Sequence, residues 1–239
     1  MKLTVLGCSG SYPGRASACS GYLVQQGPTN LWIDAGPGSL ANLQNHIGLD
    51  DVTAIVLTHE HPDHRADIEG FFVAMRYGEF DGHGPRVLAP QGVKEYMYFD
   101  ADELFDWRIV TDRSEADIGP IHLTFSRTDH GPETLAVRFD AGGKALGYSA
   151  DTGSAWSMEA LGSGLDLALC EATFFKERED TVQHLSGRQA GLTAKAAGAK
   201  RLMITHVWPT YDPNAIAAEA ATTYGGAVEV AVLHESTGV

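Results

Sequence analysis

The chain has 239 residues, 44% hydrophobic and 20% charged, with 17 basic against 31 acidic side chains and a formal net charge of −14. That length and balance suit a globular chain with a substantial core, in one large α/β domain or two small ones. The acidic surface repels phosphate backbones at long range, and no cluster of Lys and Arg offers a track for extended nucleic acid.

Lys2 to Leu6 reads as a first strand, stopped by the glycine-rich loop GCSGSYPGR. This loop suggests phosphate binding only weakly, because it lacks the GxxxxGK[ST] pattern and no clear helix follows. Gly21 to Gln25 and Leu31 to Asp34 are strands joined by a polar turn. Asp34 closes the second of them, either as a cap for a helix near Ser39 to Asn45 or as a carboxylate that orients a ligand histidine. Next comes AIVLTHEHPDH, Ala54 to His64, a buried-strand signature followed by His59, His61, Asp63 and His64 within six positions. Imidazoles and a carboxylate at this density suit a borderline divalent metal such as zinc. Four candidate ligands exceed what one open zinc needs, so the segment implies one closed site or two metals drawing ligands from elsewhere.

Asp67 to Tyr77 carries Ile68, Phe71, Phe72 and Met75 at helical spacing, a core-facing stripe. Arg86 to Ala89 is a strand, and Val93 to Phe99 and Glu103 to Trp107 read as short helical pieces. Residues 71–77 and 93–107 offer apolar surface for a homodimer. Ile121 to Arg127, Thr134 to Phe139 and Lys144 to Ser149 form a β-meander, with His130 and Asp151 just past strand ends. A strand over Leu165 to Cys170 precedes EATF, a helix covers Gly187 to Ala199, and a strand over Arg201 to Ile204 precedes His206. A helix starting at Pro213 and a strand over Val228 to Val232 end the pattern. Neither a repeat nor a linker interrupts it, so residues 1–239 are read as one domain, two sheets packed together with helices outside.

Cys8, Cys19 and Cys170 are an odd set without CxxC spacing, which points to a reducing compartment. MKLTVLGCSG meets glycine too soon for a signal peptide, and no stretch is long enough to span a membrane. A cytoplasmic protein without membrane association is expected.

His130, Asp151 and His206 share a position type with the opening run, each just after a strand. Taken singly each is an ordinary turn residue. Together with His59, His61, Asp63 and His64 they make seven ligands, the number two metals sharing a bridge require. With HxHxDH standing as His59-Glu60-His61-Pro62-Asp63-His64, the sequence resembles the metallo-β-lactamase superfamily over nearly its whole length. The resemblance implies a four-layer αββα sandwich with a dimetal site at one edge. His59, His61 and His130 would hold one metal, Asp63, His64 and His206 the other, and Asp151 would bridge them. The cofactors would be two divalent ions, zinc first, with manganese or iron as alternatives. Asp63 would also orient or deprotonate the attacking water. His61 stands where the redox diiron branch carries a carboxylate, which argues for hydrolysis.

GCSGSYPGRASACSGYLV and Glu171-Ala172-Thr173-Phe174, with His184-Leu185-Ser186 ten residues on, resemble ribonuclease Z-like and cyclic-nucleotide phosphodiesterase-like members. In that group a histidine at the His184 position protonates the leaving group, and an alkoxide leaving phosphorus needs such an acid. The plainer reading makes His184 a neighbour of the next helix, with Ser186 its cap. Ribonuclease Z inserts a long tRNA-gripping arm between the positions of His130 and Asp151, where this chain has twenty residues. A small phosphodiester, a cyclic nucleotide or short oligonucleotide, is therefore the expected substrate, and tRNA 3′ processing the alternative. A lactonase or β-lactamase would use the same site on an acyl carbon without need of the EATF and His184 features. A glyoxalase II-type thioesterase would need more C-terminal helix, and a non-enzymatic scaffold would be expected to have lost ligands.

Overall fold

The computed structural model describes residues 1–78 and 84–239. Two seven-stranded sheets face each other, and each is antiparallel on one side and parallel on the other. The first has β1 (Lys2–Gly7), β2 (Gly21–Gln26), β3 (Thr29–Ile33), β4 (Ala54–Val56), β5 (Arg86–Ala89), β6 (Asp106–Ile109) and the terminal β14 (Ser236–Gly238). Their order is β14-β1-β2-β3-β4-β5-β6, with the parallel pairs running from β3 to β6. The second sheet holds β7 (Glu115–Ile118), β8 (Ile121–Arg127), β9 (Leu135–Ala141), β10 (Lys144–Tyr148), β11 (Leu167–Glu171), β12 (Leu202–Thr205) and β13 (Val228–Val230). Its order is β13-β12-β11-β10-β9-β8-β7, parallel from β10 to β13.

Strand alternation builds the central core. Leu3, Val5, Tyr22, Val24, Leu31 and Ile33 meet Leu123, Phe125, Val137 and Phe139 between the sheets. The outer face of the first sheet packs Leu23, Trp32 and Ile55 against Ile68, Phe71 and Phe72. Those three belong to α3 (Asp67–Tyr77), which with α1 (Ser39–Leu43), α2 (Pro62–Arg65) and α4 (Gln91–Glu95) follows strands of that sheet. Removing one of these phenyl rings would cost roughly 3–5 kcal/mol. The second sheet is covered by α5 (Gly187–Ala196) and α6 (Pro213–Tyr224). These two approach closely because Gly191 carries no side chain, and a Cβ there would stand 2.2 Å from the Ala220 carbonyl. Helix, sheet, sheet, helix is the expected αββα sandwich.

The structure corrects the sequence reading in places. Residues 103–107 are not helical throughout: after a short 3₁₀ turn, Asp106–Ile109 pairs in parallel with β5 as the edge of its sheet. The alternation Asp-Trp-Arg-Ile carries that period-2 signal, with the pattern too short to outweigh its neighbours. The helix placed at 93–99 is shorter and earlier, Gln91–Glu95. β7 and β14 are strands that the sequence reading leaves unassigned, both short and largely exposed.

Candidate active site

β1 and β4 both run parallel to β3, or equivalent to it through β2, so their C-terminal ends share one edge. β8, β10, β11 and β12 likewise end together in the second sheet. Every candidate ligand lies just beyond one of these ends. Three of the residues there take left-handed backbone conformations without being glycine: Asp34 (φ 52°), Ala150 (φ 51°) and His206 (φ 57°). Such conformations cost roughly 1–3 kcal/mol each and persist where surrounding contacts enforce them. Pro62 at the first position of α2 fixes the turn that carries Asp63 and His64 inward.

The structure brings all seven predicted residues into one cluster of two overlapping groups, buried except for the half-buried His61. His59, His61, His130 and Asp151 form the first, and Asp63, His64, Asp151 and His206 the second, with the ligand atoms of each within 4.8 Å of one another. In the first, His61 Nδ1 lies 3.1 Å from His59 Nε2 and 3.2 Å from His130 Nε2. Asp151 Oδ2 stands 3.6 Å from His59 Nε2 and 3.9 Å from His130 Nε2. In the second, Asp151 Oδ1 is 3.2 Å from His64 Nε2 and 3.4 Å from His206 Nε2. Asp63 Oδ2 is 3.5 Å and 3.3 Å from the same two nitrogens. The two oxygens of Asp151 thus serve one group each.

The hydrogen-bond network assigns the imidazole tautomers. Thr58 Oγ1 donates to Asp34, so it accepts from His59 Nδ1 at 3.0 Å. Thr173 Oγ1 donates to Glu171 Oε2 at 2.7 Å and accepts from His206 Nδ1 at 2.9 Å. His130 Nδ1 donates to the Gln183 carbonyl at 2.9 Å, and His64 Nδ1 to Asp34 Oδ2 at 2.7 Å. Each Nδ1–H is committed outward, which leaves the Nε2 lone pair of four rings facing the cluster. Asp34 also accepts from Thr58 N and from the Tyr148 hydroxyl at 2.8 Å. Of its two expected roles it fills the second: α1 is preceded by Gly38, without a side-chain cap.

The charge balance fits divalent cations. Among the described residues, only imidazoles lie within ion-pair distance of the buried Asp34, Asp63 and Asp151. Burial alone would raise the Asp151 carboxyl, but the His206 and His64 rings outweigh it and hold it well below the usual carboxylate range. Burial likewise opposes ionisation of Asp63, and His64 and His206 hold that group low as well. His59 is pushed well down by burial and by His64. His64 Nε2 and Asp151 Oδ1 are sealed from solvent and make no hydrogen bond, although they face each other. Orphaned buried atoms are expensive unless a further partner sits between them. The N/O donor set of five imidazoles and two carboxylates suits metal ions as that partner.

His184 stands at the rim. Its ring stacks on His206 with centroids 5.3 Å apart, and its Nδ1 is 3.0 Å from Glu171 Oε1 and 4.0 Å from Asp151 Oδ2. Burial lowers this imidazole, yet the Glu171 carboxylate prevails and raises it to about 9. Ser186 does cap α5, in a capping box with Gln189, so the plainer reading of this segment holds beside the site placement. The Glu171 partnership and the Thr58 and Thr173 hydrogen bonds to cluster histidines are contacts that the sequence alone does not reveal. The local signal was a Thr one or two residues from a strand-end His or Glu, which is too common to assign alone.

The model of the Beta-lactamase superfamily domain matches residues 29–207. The Mycobacterium tuberculosis protein Rv1339 is 33% identical over 250 residues, covering 99% of this chain and 91% of its own. YhfI from Bacillus subtilis, named a probable metallo-hydrolase, is 31% identical over 236 residues and 97% of both chains. Its crystal structure, described as a metallo-β-lactamase fold protein, superposes with a TM-score of 0.89, 27% identity and coverage of 99% and 98%. A ribonuclease Z of Mycobacterium bovis is 26% identical over 269 residues, 96% of this chain and 95% of its own. With its αββα layers and a His/Asp cluster at the shared strand edge, the chain belongs to the metallo-β-lactamase superfamily.

Proposed function

We propose that this chain is a metal-dependent phosphodiesterase acting on a small phosphodiester such as a cyclic nucleotide or a short oligonucleotide. The observation that carries the reading is the Glu171–His184 pair: a proton donor held by a buried carboxylate, at the edge of a ligand cluster. His59, His61 and His130 with Asp151 Oδ2 would hold one cation, and Asp63, His64 and His206 with Asp151 Oδ1 the other. Two such cations supply Lewis acidity and make water acidic enough to act as a nucleophile near neutral pH. Asp63, kept ionised by His64 and His206, accepts a hydrogen bond from the attacking water and orients it. Glu171 fixes the His184 ring through Nδ1, leaving Nε2–H to protonate the departing alkoxide.

The ribonuclease Z relative favours tRNA 3′ processing as a second reading. Against it, the chain between His130 and Asp151 is spent on β9, β10 and the tight turn Gly142-Gly143, both at positive φ, with no arm. Among the described residues no helix is long and apolar enough to cross a membrane. The test is turnover by metal-loaded protein of bis-p-nitrophenyl phosphate and cyclic nucleotides beside nitrocefin, a homoserine lactone and a precursor tRNA. Phosphodiester turnover alone is expected. Lactone hydrolysis without it would overturn the reading, and efficient precursor tRNA cleavage would replace it with the second.

A further inference from the structure

The glycine-rich loop after β1 contributes no ligand to the His/Asp cluster, yet it walls a cavity beside it. The cavity holds about 270 Å³. Its apolar surface includes Ile204, Val207 and Val230, its aromatic side Trp208 and Tyr211, and Arg15 of the loop also lines it. Thr205 and Val207 line it, and His206 between them turns the other way, into the cluster. β12 and β13 are parallel, so the cavity and the cluster share one edge of the sandwich.

The aromatic side is fixed in place. Trp208 Nε1 donates to Ser11 Oγ at 2.9 Å, its ring meets Phe174 edge-on, and the Arg178 guanidinium lies 4.7 Å from its centroid. Trp208 and Tyr211 are within 10° of parallel, with centroids 6.1 Å apart. The loop is pinned in turn by Ser9, which bridges to Val207 and donates to Ser17 Oγ at 2.6 Å.

We propose that this cavity is a base subsite: it takes the heteroaromatic base of a nucleotide whose phosphodiester lies at the His/Asp cluster. The inference rests on the phosphodiesterase reading and narrows its substrate to nucleotides. A flat π-system stacks on rigid aromatic rings whatever its hydrogen-bonding edge, and the hydroxyls and Arg15 supply polar contacts at the rim. In a chain of net charge −14 the two arginines flanking this wall also counter repulsion of an anionic ligand. Trp208 follows His206 by two residues, at most about 7 Å of backbone. The aromatic wall is thus close in the chain to a cluster residue, and a ribose would join a base on that wall to a phosphate at the cluster.

The experiment compares 3′,5′-cyclic AMP with glycerol 1,2-cyclic phosphate, a phosphodiester without a base, on the metal-loaded full chain by phosphorus NMR. Trp208→Ala should lower the ratio of the two kcat/KM values roughly 5- to 150-fold, mainly through KM for the nucleotide, and Trp208→Phe should restore most of it. Calorimetry with adenosine, which has no phosphate to hydrolyse, should show binding to the parent chain that Trp208→Ala loses. If both kcat/KM values fall by one factor, or adenosine binds equally to both proteins or to neither, the subsite is wrong. If adenosine binding depends on Trp208 while neither phosphodiester is cleaved, the subsite stands and the reaction assignment fails.

Discussion

Asp34 and His64, thirty residues apart and both fully buried, are joined by a 2.7 Å hydrogen bond from His64 Nδ1 to the carboxylate. That bond fixes the ring so that Nε2 faces Asp63 and Asp151. Carboxylates in this position raise ligand basicity and hold ring orientation, and their loss typically costs 10–100-fold in metal affinity. Asp34→Ala should therefore weaken cation retention by roughly that factor, read by competition with a chelator. Removing Asp34 also strands Thr58 N and the Tyr148 hydroxyl, so the melting temperature should fall as well. Unchanged retention against chelator would show that His64 is oriented by something else.

In the proposed reaction His184 acts in its protonated form, and its pKa is raised to about 9. The acid is therefore present through neutral pH, and phosphodiester turnover should decline as pH rises through about 9. Glu171→Gln removes the carboxylate that raises it, so the alkaline decline should move to lower pH. His184→Ala should reduce kcat roughly 10²–10⁴-fold for alkoxide leaving groups, with metal content retained. A p-nitrophenolate leaves without a proton, so its loss should be much smaller; equal losses for both leaving groups would remove His184 from the acid role.

Gly10 is bare for a steric reason. A Cβ there would stand 2.3 Å from the His206 carbonyl oxygen and 2.9 Å from its Nδ1, the nitrogen that Thr173 holds. Gly10→Ala should displace His206 and loosen the group it shares with Asp63 and His64. Elemental analysis after dialysis is expected to find two cations per parent chain and about one per variant chain. Two retained cations with parent-like turnover would refute this.

Asp166 joins β10 and β11 from outside the site. It accepts from Lys200 Nζ at 2.9 Å, from Ala145 N at 3.0 Å and from Lys144 Nζ at 3.2 Å. Lys200 first, then the Ala145 amide, hold its carboxyl well below the usual range. A depressed carboxyl stabilises the fold above its unfolded pKa, about 4, and that contribution fades as pH falls through the folded value. Asp166→Asn should lower the melting temperature at pH 7 by roughly 2–4 °C, as a change near 1 kcal/mol would. The deficit should shrink steadily below about pH 4. A deficit independent of pH would assign the effect to packing instead of charge.

Local pattern alone determined a good part of this protein. The period-2 runs at Lys2–Leu6 and Ile121–Arg127 and the 3.6-period stripe of Asp67–Tyr77 carry their own side-chain directions, so their elements stand where the pattern puts them. The density of His59, His61, Asp63 and His64 after a buried strand is likewise legible, because one segment supplies more ligand atoms than chance explains. Asp106–Ile109 and Ser236–Gly238 became strands only by pairing with distant neighbours, which no short window contains. The same holds within the site. His130, Asp151 and His206 are turn-type residues in sequence, and only two sheets meeting along one edge bring their ligand atoms within 4.8 Å of the opening cluster. Tertiary structure alone chose between capping and orientation for Asp34, gave His184 the carboxylate of Glu171, and set Trp208 and Tyr211 along a cavity beside His206. Those relationships depend on distances between strand ends and on buried charge, quantities that exist only once the sheets have packed.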